Sequence, residues 1–516
     1  MTRIKTFLSK LLVAWTSENA SHRIVLVAIF VGGIGMRVPF LFQPIMHDES
    51  YTYAHIAYRP LSCILTHNPA SNNHMLHNIL VHFSTRLLGS DTWAIRLPAF
   101  IAGVLLVPAA YLVGRKLFDK RAGILAAALV ASTSFMIEYS TNAGGHSMLA
   151  LAFLMSILAA ISLKRTDSAG AWVAFVCFAV LGFYTVPANI YFFASTVLWL
   201  LISTLLKDTK APPKNFILKL AVACAVTAVT VILLYLPVLI VSGLSAFKTP
   251  PENWTRTFHA LFKGLPGNMK DIWTNWNSGI PLVVSLIIAA GFILSLVVFR
   301  KIARDRVNLP IVAACVCLLA MIGQKTLLPA RIWIPLWLLF LISSSAGLVF
   351  AGSSATAFLS KRMGRRAPDR AVAANVAALF VVLLLGAVTV GGQFPYQPKD
   401  QLRFRDAEQV AKYLQKELQP GDVVYIEPNL RKPLEYYFLK YGVPMDYLFF
   451  LEMPQTGKRE VKRAFLIADP KDGFPLKKTL DATDIEKGII IKDPVASFPN
   501  SGAVYIMKDV TLRKPY

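Results

Sequence analysis

The chain has 516 residues, 55% of them hydrophobic types, and a mean hydropathy of +0.52; water cannot solvate that much apolar surface on a soluble enzyme, so lipid is its solvent. The formal charge of +24 raises nucleic acid as a partner, but residues 393–516 hold 20 Lys+Arg against 17 Asp+Glu, which leaves about +21 on the apolar part. Basic residues gathered in loops between apolar runs set membrane topology, and no nucleic acid is expected.

Hydropathy predicts about eleven spans, near 24–43, 94–114, 122–138, 146–163, 171–188, 190–206, 217–241, 279–299, 309–323, 333–352 and 371–391. The first run is too long for a signal h-region and is read as a retained span. Alternate connections carry Arg115-Lys116 with Lys120-Arg121, Lys164-Arg165, Lys207, Arg300-Lys301 and Lys361-Arg362, which belong on the cytoplasmic side. The loops 44–93, 139–145, 243–278 and 324–332, with the tail, are then expected on the opposite face. The predicted architecture is a polytopic α-helical membrane domain over 1–392 and an extracytoplasmic α/β domain over 393–516. The chain is accordingly expected in a plasma or bacterial inner membrane. Four cysteines, Cys177, Cys224, Cys315 and Cys317, lie in apolar runs and Cys63 in a loop, so no disulfide framework is readable.

Within the first outer loop, His74 to Leu88 places Leu76, Ile79, Leu80, Phe83 and Leu87 at helical spacing, as in an amphipathic helix lying along the interface. In the tail, Asp406–Leu418 reads as an amphipathic helix and Val423–Ile426 as a strand after the Gly421-Asp422 turn. Glu435–Tyr441 reads as a further helix; Ala464–Ile467, Gly488–Ile491 and Ala503–Met507 read as strands.

The sharpest local feature is His47-Asp48-Glu49-Ser50-Tyr51 just beyond the first span. Two acids suit a solvated first helical turn; equally, a carboxylate at this depth is placed where a lipid headgroup and a polar acceptor meet. Neighbours on a helix face different ways, so one acid of the pair is expected to point into a site, and Asp48 is favoured over Glu49. In the 243–278 loop, Trp254, Trp273, Trp276 and Phe258 lie among Asn275 and Asn277, a set that fits either sugar stacking or an aromatic belt.

Several short motifs recur in a familiar order: Arg37 closing the first span, His47-Asp48-Glu49, the helix after Asn73-His74, Arg96-Leu97-Pro98, Gly114-Arg115 with Arg121-Ala122-Gly123, and Tyr139-Ser140 before Gly145-His146-Ser147. The chain resembles the GT-C superfamily, in particular the bacterial branch similar to protein O-mannosyltransferases and to the aminoarabinose transferases that modify lipid A. The match covers about the first third closely and the remainder by architecture.

The resemblance implies an inverting glycosyltransferase that moves a sugar from a polyprenyl-phosphate donor to a lipid, glycan or protein acceptor on the outer membrane face. It assigns Asp48, with Glu49 beside it, to the acceptor proton, which must leave as the hydroxyl attacks. Next to apolar surface and a second acid, the Asp48 carboxyl is expected to titrate high. The departing phosphate needs fixed cations, for which Arg331, Lys325, His74, Arg37 and His146 are the candidates. Sugar or acceptor contacts are expected from Asn142, Tyr51 and Tyr139, and a divalent metal is a candidate cofactor.

Two positions depart from the family pattern. Where relatives carry a second acid and an arginine, this chain reads Asn142-Ala143-Gly144-Gly145, and an amide can bond a sugar hydroxyl but not neutralise a metal. The lysine expected before the interfacial helix is replaced by Asn73-His74; His74 and His77 have a spacing that can hold zinc, with His82 nearby. Glu138 is read as either a substitute for the lost acid or a surface residue, the latter favoured. A transporter or flippase is the rival class, and it predicts mid-span acids and inverted repeats, of which the sequence has neither.

Overall fold

The computed structural model describes residues 19–67, 73–208, 215–243, 255, 257–363, 369–391, 404–449, 461–471, 473–481, 483, 485–490 and 493–512. Trp254 and the junction at 392–393 lie outside them. Among the described residues, six helices are long and apolar enough to cross a bilayer: Ala20–Leu41, Thr92–Leu117, His146–Leu163, Phe216–Ser242, Ala330–Arg362 and Arg370–Thr389. Four shorter apolar helices, Ala169–Thr185, Asn189–Leu205, Leu282–Val297 and Leu309–Gln324, fall on other expected spans. Each is about 25 Å long, a little short of the ~30 Å hydrocarbon layer. The third span is a broken one, Lys120–Ser132 followed by Ser134–Ser140 at 63°.

Small residues let these helices touch. A Cβ at Gly347 would lie 1.9 Å from the Gly291 carbonyl oxygen, so the helices carrying the two glycines meet backbone to backbone, the close approach that helix pairing in lipid favours. Outward faces are greasy instead of polar: Phe216–Ser242 exposes Leu218, Val222, Val229, Leu233 and Ile240, as expected where the solvent is hydrocarbon.

The compact units do not follow a linear cut at 392. The first comprises Met1–Leu41, Leu65–His77 and Arg96–Tyr396; the second comprises Phe42–Ile64, Asn78–Ile95 and Gln397–Tyr516. Most of the first outer loop is therefore built into the same unit as the tail. Helix Met75–Leu88 buries Asn78, Val81, His82 and Ser84 and exposes Leu80, Phe83, Leu87 and Leu88, the orientation that puts an apolar face on a lipid surface.

The second unit holds a five-stranded sheet of order β1-β2-β5-β3, with β4 beside β5. The strands are β1 (Asp422–Ile426), β2 (Arg463–Ala468), β3 (Ile485–Ile490), β4 (Ala496–Ser497) and β5 (Ala503–Leu512). β1 and β2 run parallel in the register Asp422↔Arg463 to Ile426↔Ile467, and β5 is antiparallel to β2, β3 and β4. The first register pair is also an ion pair, Arg463 Nη2 to Asp422 Oδ2 at 2.6 Å. β1 is buried along its whole length, which explains its unbroken Val-Val-Tyr-Ile run.

Candidate functional site

The break in the third span sets the local architecture of the first unit. Thr133 takes an extended conformation (φ −70°, ψ 131°), which ends one helix inside the bundle and leaves carbonyls of its last turn without helical donors. Arg37, fully buried, fills that gap: Nη1 donates to Ala131 O at 2.7 Å and Nη2 to Val130 O at 3.0 Å, while Nη1 also reaches Gly33 O of its own helix at 2.9 Å. Arg96 does the same for the first span, donating to Phe40 O and Leu41 O, each at 3.0 Å. Arg37, expected to hold donor phosphate, is thus corrected to a structural cation, because it is fully buried and both Nη atoms donate to main-chain carbonyls.

Beyond the break, Ser134–Ser140 and the turn at 141–145 lead into helix His146–Leu163. Tyr139, Asn142 and His146 are buried here, and so is Glu138, contrary to its expected surface position. The His74 ring lies edge-on to His146 at 4.8 Å between centroids, and Tyr139 lies edge-on to it at 5.6 Å. His74 Nδ1 accepts the Gly145 N–H at 2.8 Å, so the neutral ring carries its proton on Nε2 and offers a donor there. Arg331, His74 and His77 are close enough for their charges to act on His146. His146 Nδ1 is buried with no hydrogen-bond partner among the described residues, an arrangement that a ligand's hydroxyl or phosphate oxygen would satisfy. Gly145 is required for the approach, since a Cβ there would lie 2.8 Å from Thr185 and 3.0 Å from His74.

Arg331 lies in the 3-10 turn Ala330–Trp333. That turn borders an apolar groove of about 370 Å³ lined by Ile272, Trp273, Trp276, Met321, Trp333 and Leu336 among others. The helix Phe258–Trp276, which forms one wall, reads as loop from the sequence because Gly264, Pro266 and Gly267 interrupt its pattern. Lys325 caps helix Leu309–Gln324 in the left-handed conformation (φ 52°), and its Nζ sits 4.6 Å from the Phe258 ring centroid. Its carbonyl is anchored by Thr255 N at 2.8 Å.

In the second unit, the two acids of the first outer loop separate as one-faced helical geometry requires. Glu49 is completely buried and accepts the Met46 N–H at 2.9 Å, closing the N-terminus of helix His47–Tyr51. Asp48 is 45% exposed at its side chain, with His47 Nδ1 at 3.4 Å. Glu49, expected as a catalytic partner, is corrected to a helix-closing residue. Burial pushes the Tyr51 phenol above its ordinary value, against the pull of Arg59, so the hydroxyl stays protonated as a donor.

Among the described residues, no three His, Cys, Asp or Glu side chains are grouped to hold a metal ion. His74 has its Nδ1 occupied, and His82 Nδ1 bonds the Ala57 carbonyl at 2.8 Å, so the zinc-like histidine spacing does not form a ligand set and no step is routed through a metal.

Residues 72–238 match the dolichyl-phosphate-mannose-protein mannosyltransferase family. No curated protein sequence matches the chain significantly. Among solved structures, ArnT from Cupriavidus metallidurans bound to undecaprenyl phosphate is similar over 94% of this chain and 97% of its own, at 14% identity and a TM-score of 0.58. The same protein in the apo state matches over 97% and 98%, at 14% identity and a TM-score of 0.56. The apo oligosaccharyltransferase of Archaeoglobus fulgidus matches over 95% of this chain and 75% of its own, at 13% identity and a TM-score of 0.52. The family match thus spans the second to seventh expected spans, and along nearly its whole length the chain shares the fold of these membrane glycosyltransferases.

Proposed function

We propose that this protein transfers a sugar, with inversion, from a polyprenyl-phosphate donor to a hydroxyl acceptor on the non-cytoplasmic side of the membrane. The observation that carries the reading is the apolar groove of about 370 Å³ whose wall residue Trp333 follows Arg331 by two positions. Such a groove suits an isoprenoid chain, and an arginine in the turn that supplies one of its walls suits the phosphate on that chain's end. An ArnT of the same fold binds undecaprenyl phosphate.

The chemistry is a single displacement. The acceptor oxygen attacks the anomeric carbon, the bond from that carbon to phosphate oxygen breaks, and the electron pair leaves on the lipid phosphate. Arg331, Lys325 and the His74 Nε2–H stabilise the charge that develops there. The Asp48 carboxylate takes the acceptor's proton as the new bond forms. Asn142, Tyr139 and Tyr51 supply hydroxyl and amide contacts to sugar or acceptor, and His146, whose buried Nδ1 has no partner among the described residues, is a further group for the donor phosphate. The basic loops between spans, read as cytoplasmic, support an outer-side position for the tail and Asp48.

The test offers purified protein a panel of radiolabelled polyprenyl-phosphate sugars with membrane extract and follows which component gains label. Transfer by the wild type that drops at least about a hundred-fold in Asp48→Asn supports the reading. Label that never leaves the donor, or an undiminished Asp48→Asn, defeats it.

A further inference from the structure

Helix Pro428–Tyr441 in the tail presents Arg431, Lys432 and Glu435 within one turn. Glu435 is wholly enclosed, and three cationic or protonatable groups close on it: His55 Nε2 at 2.7 Å, Arg431 Nε at 2.8 Å and Lys432 Nζ at 3.4 Å. His55 does not come from the tail. It belongs to the π-helical turn Thr52–Ala57, in the stretch that also carries Asp48.

The surrounding contacts bind that stretch from several directions. The His55 ring stacks on Tyr51 at 4.9 Å and 16°, and Lys432 Nζ sits 5.2 Å from the Tyr51 centroid. Tyr53 packs edge-on against Tyr436 at 5.6 Å; Tyr436 in turn donates its hydroxyl to Ser90 O at 2.8 Å, and Lys440 pairs with Asp91 at 2.7 Å. One helix of the tail thus grips both ends of the first outer loop.

A single ring nitrogen holds one proton. With Nε2–H donated to Glu435, no lone pair is left for Lys432, although its Nζ is 2.9 Å from that nitrogen; Lys432 is held by the carboxylate and the Tyr51 face. Burial acts to raise the Glu435 carboxyl, but the His55 hydrogen bond and the Lys432 and Arg431 charges outweigh it and hold it below its ordinary value. The group is therefore ionised at neutral pH. An enclosed ion cluster is no better than well-packed apolar residues for stability. What it supplies is one register for the turn that carries Asp48, and a π-helical turn is a frequent mark of such functional segments.

We propose that Glu435, acting through His55, is a positioning residue that fixes the turn bearing Asp48, which makes the tail domain part of the catalytic apparatus. The catalytic half of this rests on the transfer reading above. The experiment uses full-length protein in lipid nanodiscs as wild type, Glu435→Gln and His55→Gln. Amide exchange is read over residues 47–58, with the strands 422–426 and 463–468 as internal controls. Both variants are expected to exchange about ten-fold faster or more over 47–58 with the strands unchanged. In transfer assays kcat is expected to fall about a hundred-fold while the donor KM moves less than about two-fold.

Unchanged exchange over 47–58 in both variants overturns the proposal, and so does a loosened loop with undiminished kcat. If Glu435→Gln also loosens the strands, His55→Gln, which removes nothing from the tail's core, decides. A wild type that transfers no sugar removes the transfer reading alone, because exchange reports the positioning independently.

Discussion

A buried arginine near a membrane surface has two physical explanations, a ligand or a main-chain debt, and Arg37 shows how they differ. Its Nη atoms already donate to the Ala131 and Val130 carbonyls at the broken helix end, so Arg37→Met removes that donor from both at about 1–3 kcal/mol each. The expected outcome is a lower melting temperature in detergent with donor KM unchanged; a raised KM at unchanged melting temperature would restore it as a phosphate ligand. Gly145 is the opposite case, a residue whose lack of a side chain matters. Gly145→Ala drives a methyl to within 3.0 Å of the His74 ring and 2.8 Å of Thr185. It is expected to cut transfer at least about ten-fold by displacing His74, as judged from initial rates at saturating donor. Asp48 and His74 were legible as candidates because their types are out of place beside apolar runs. Glu49 and Glu138 were misread because neither burial nor the direction of a side chain is written in local composition.

At the scale of elements, the membrane helices follow from hydropathy and the packing between them does not. The Gly291–Gly347 approach joins segments about fifty residues apart, and each glycine by itself looks like an ordinary small residue in an apolar run. Gly347→Leu is expected to cost about 3 kcal/mol or more, since the added side chain meets backbone and not a flexible neighbour. Thermal unfolding in detergent measures this, and an unchanged midpoint would mean that the two helices can part without loss. The broken third span was visible only as a run too short to cross. Its 63° bend at Thr133 exists because Arg37, remote in sequence, satisfies the carbonyls that the bend frees.

At the scale of the whole molecule, the second unit is held by carboxylates whose folded states favour the charged form. Glu435 is lowered as described, and Glu408 is lowered because hydrogen bonds from Lys412 and Tyr441 outweigh its burial. A depressed carboxyl contributes stability that is fully present above its ordinary value of 4.5 and is lost as pH falls through the folded value. The tail and the 47–58 turn are therefore expected to hold from neutral pH to about 5 and to loosen below 4.5, as read by amide exchange; loosening that begins near pH 6 would assign the effect to histidine instead. The sequence by itself determined the solvent, the eleven apolar segments, the α/β character of the tail and the resemblance to a superfamily, because hydropathy, periodicity and short motifs are local. Only the tertiary structure decided which acid is buried, which arginine bonds main-chain carbonyls, and that most of the first long loop shares a unit with the tail. Those outcomes depend on burial and pairing between residues tens to hundreds of positions apart, which no local pattern encodes.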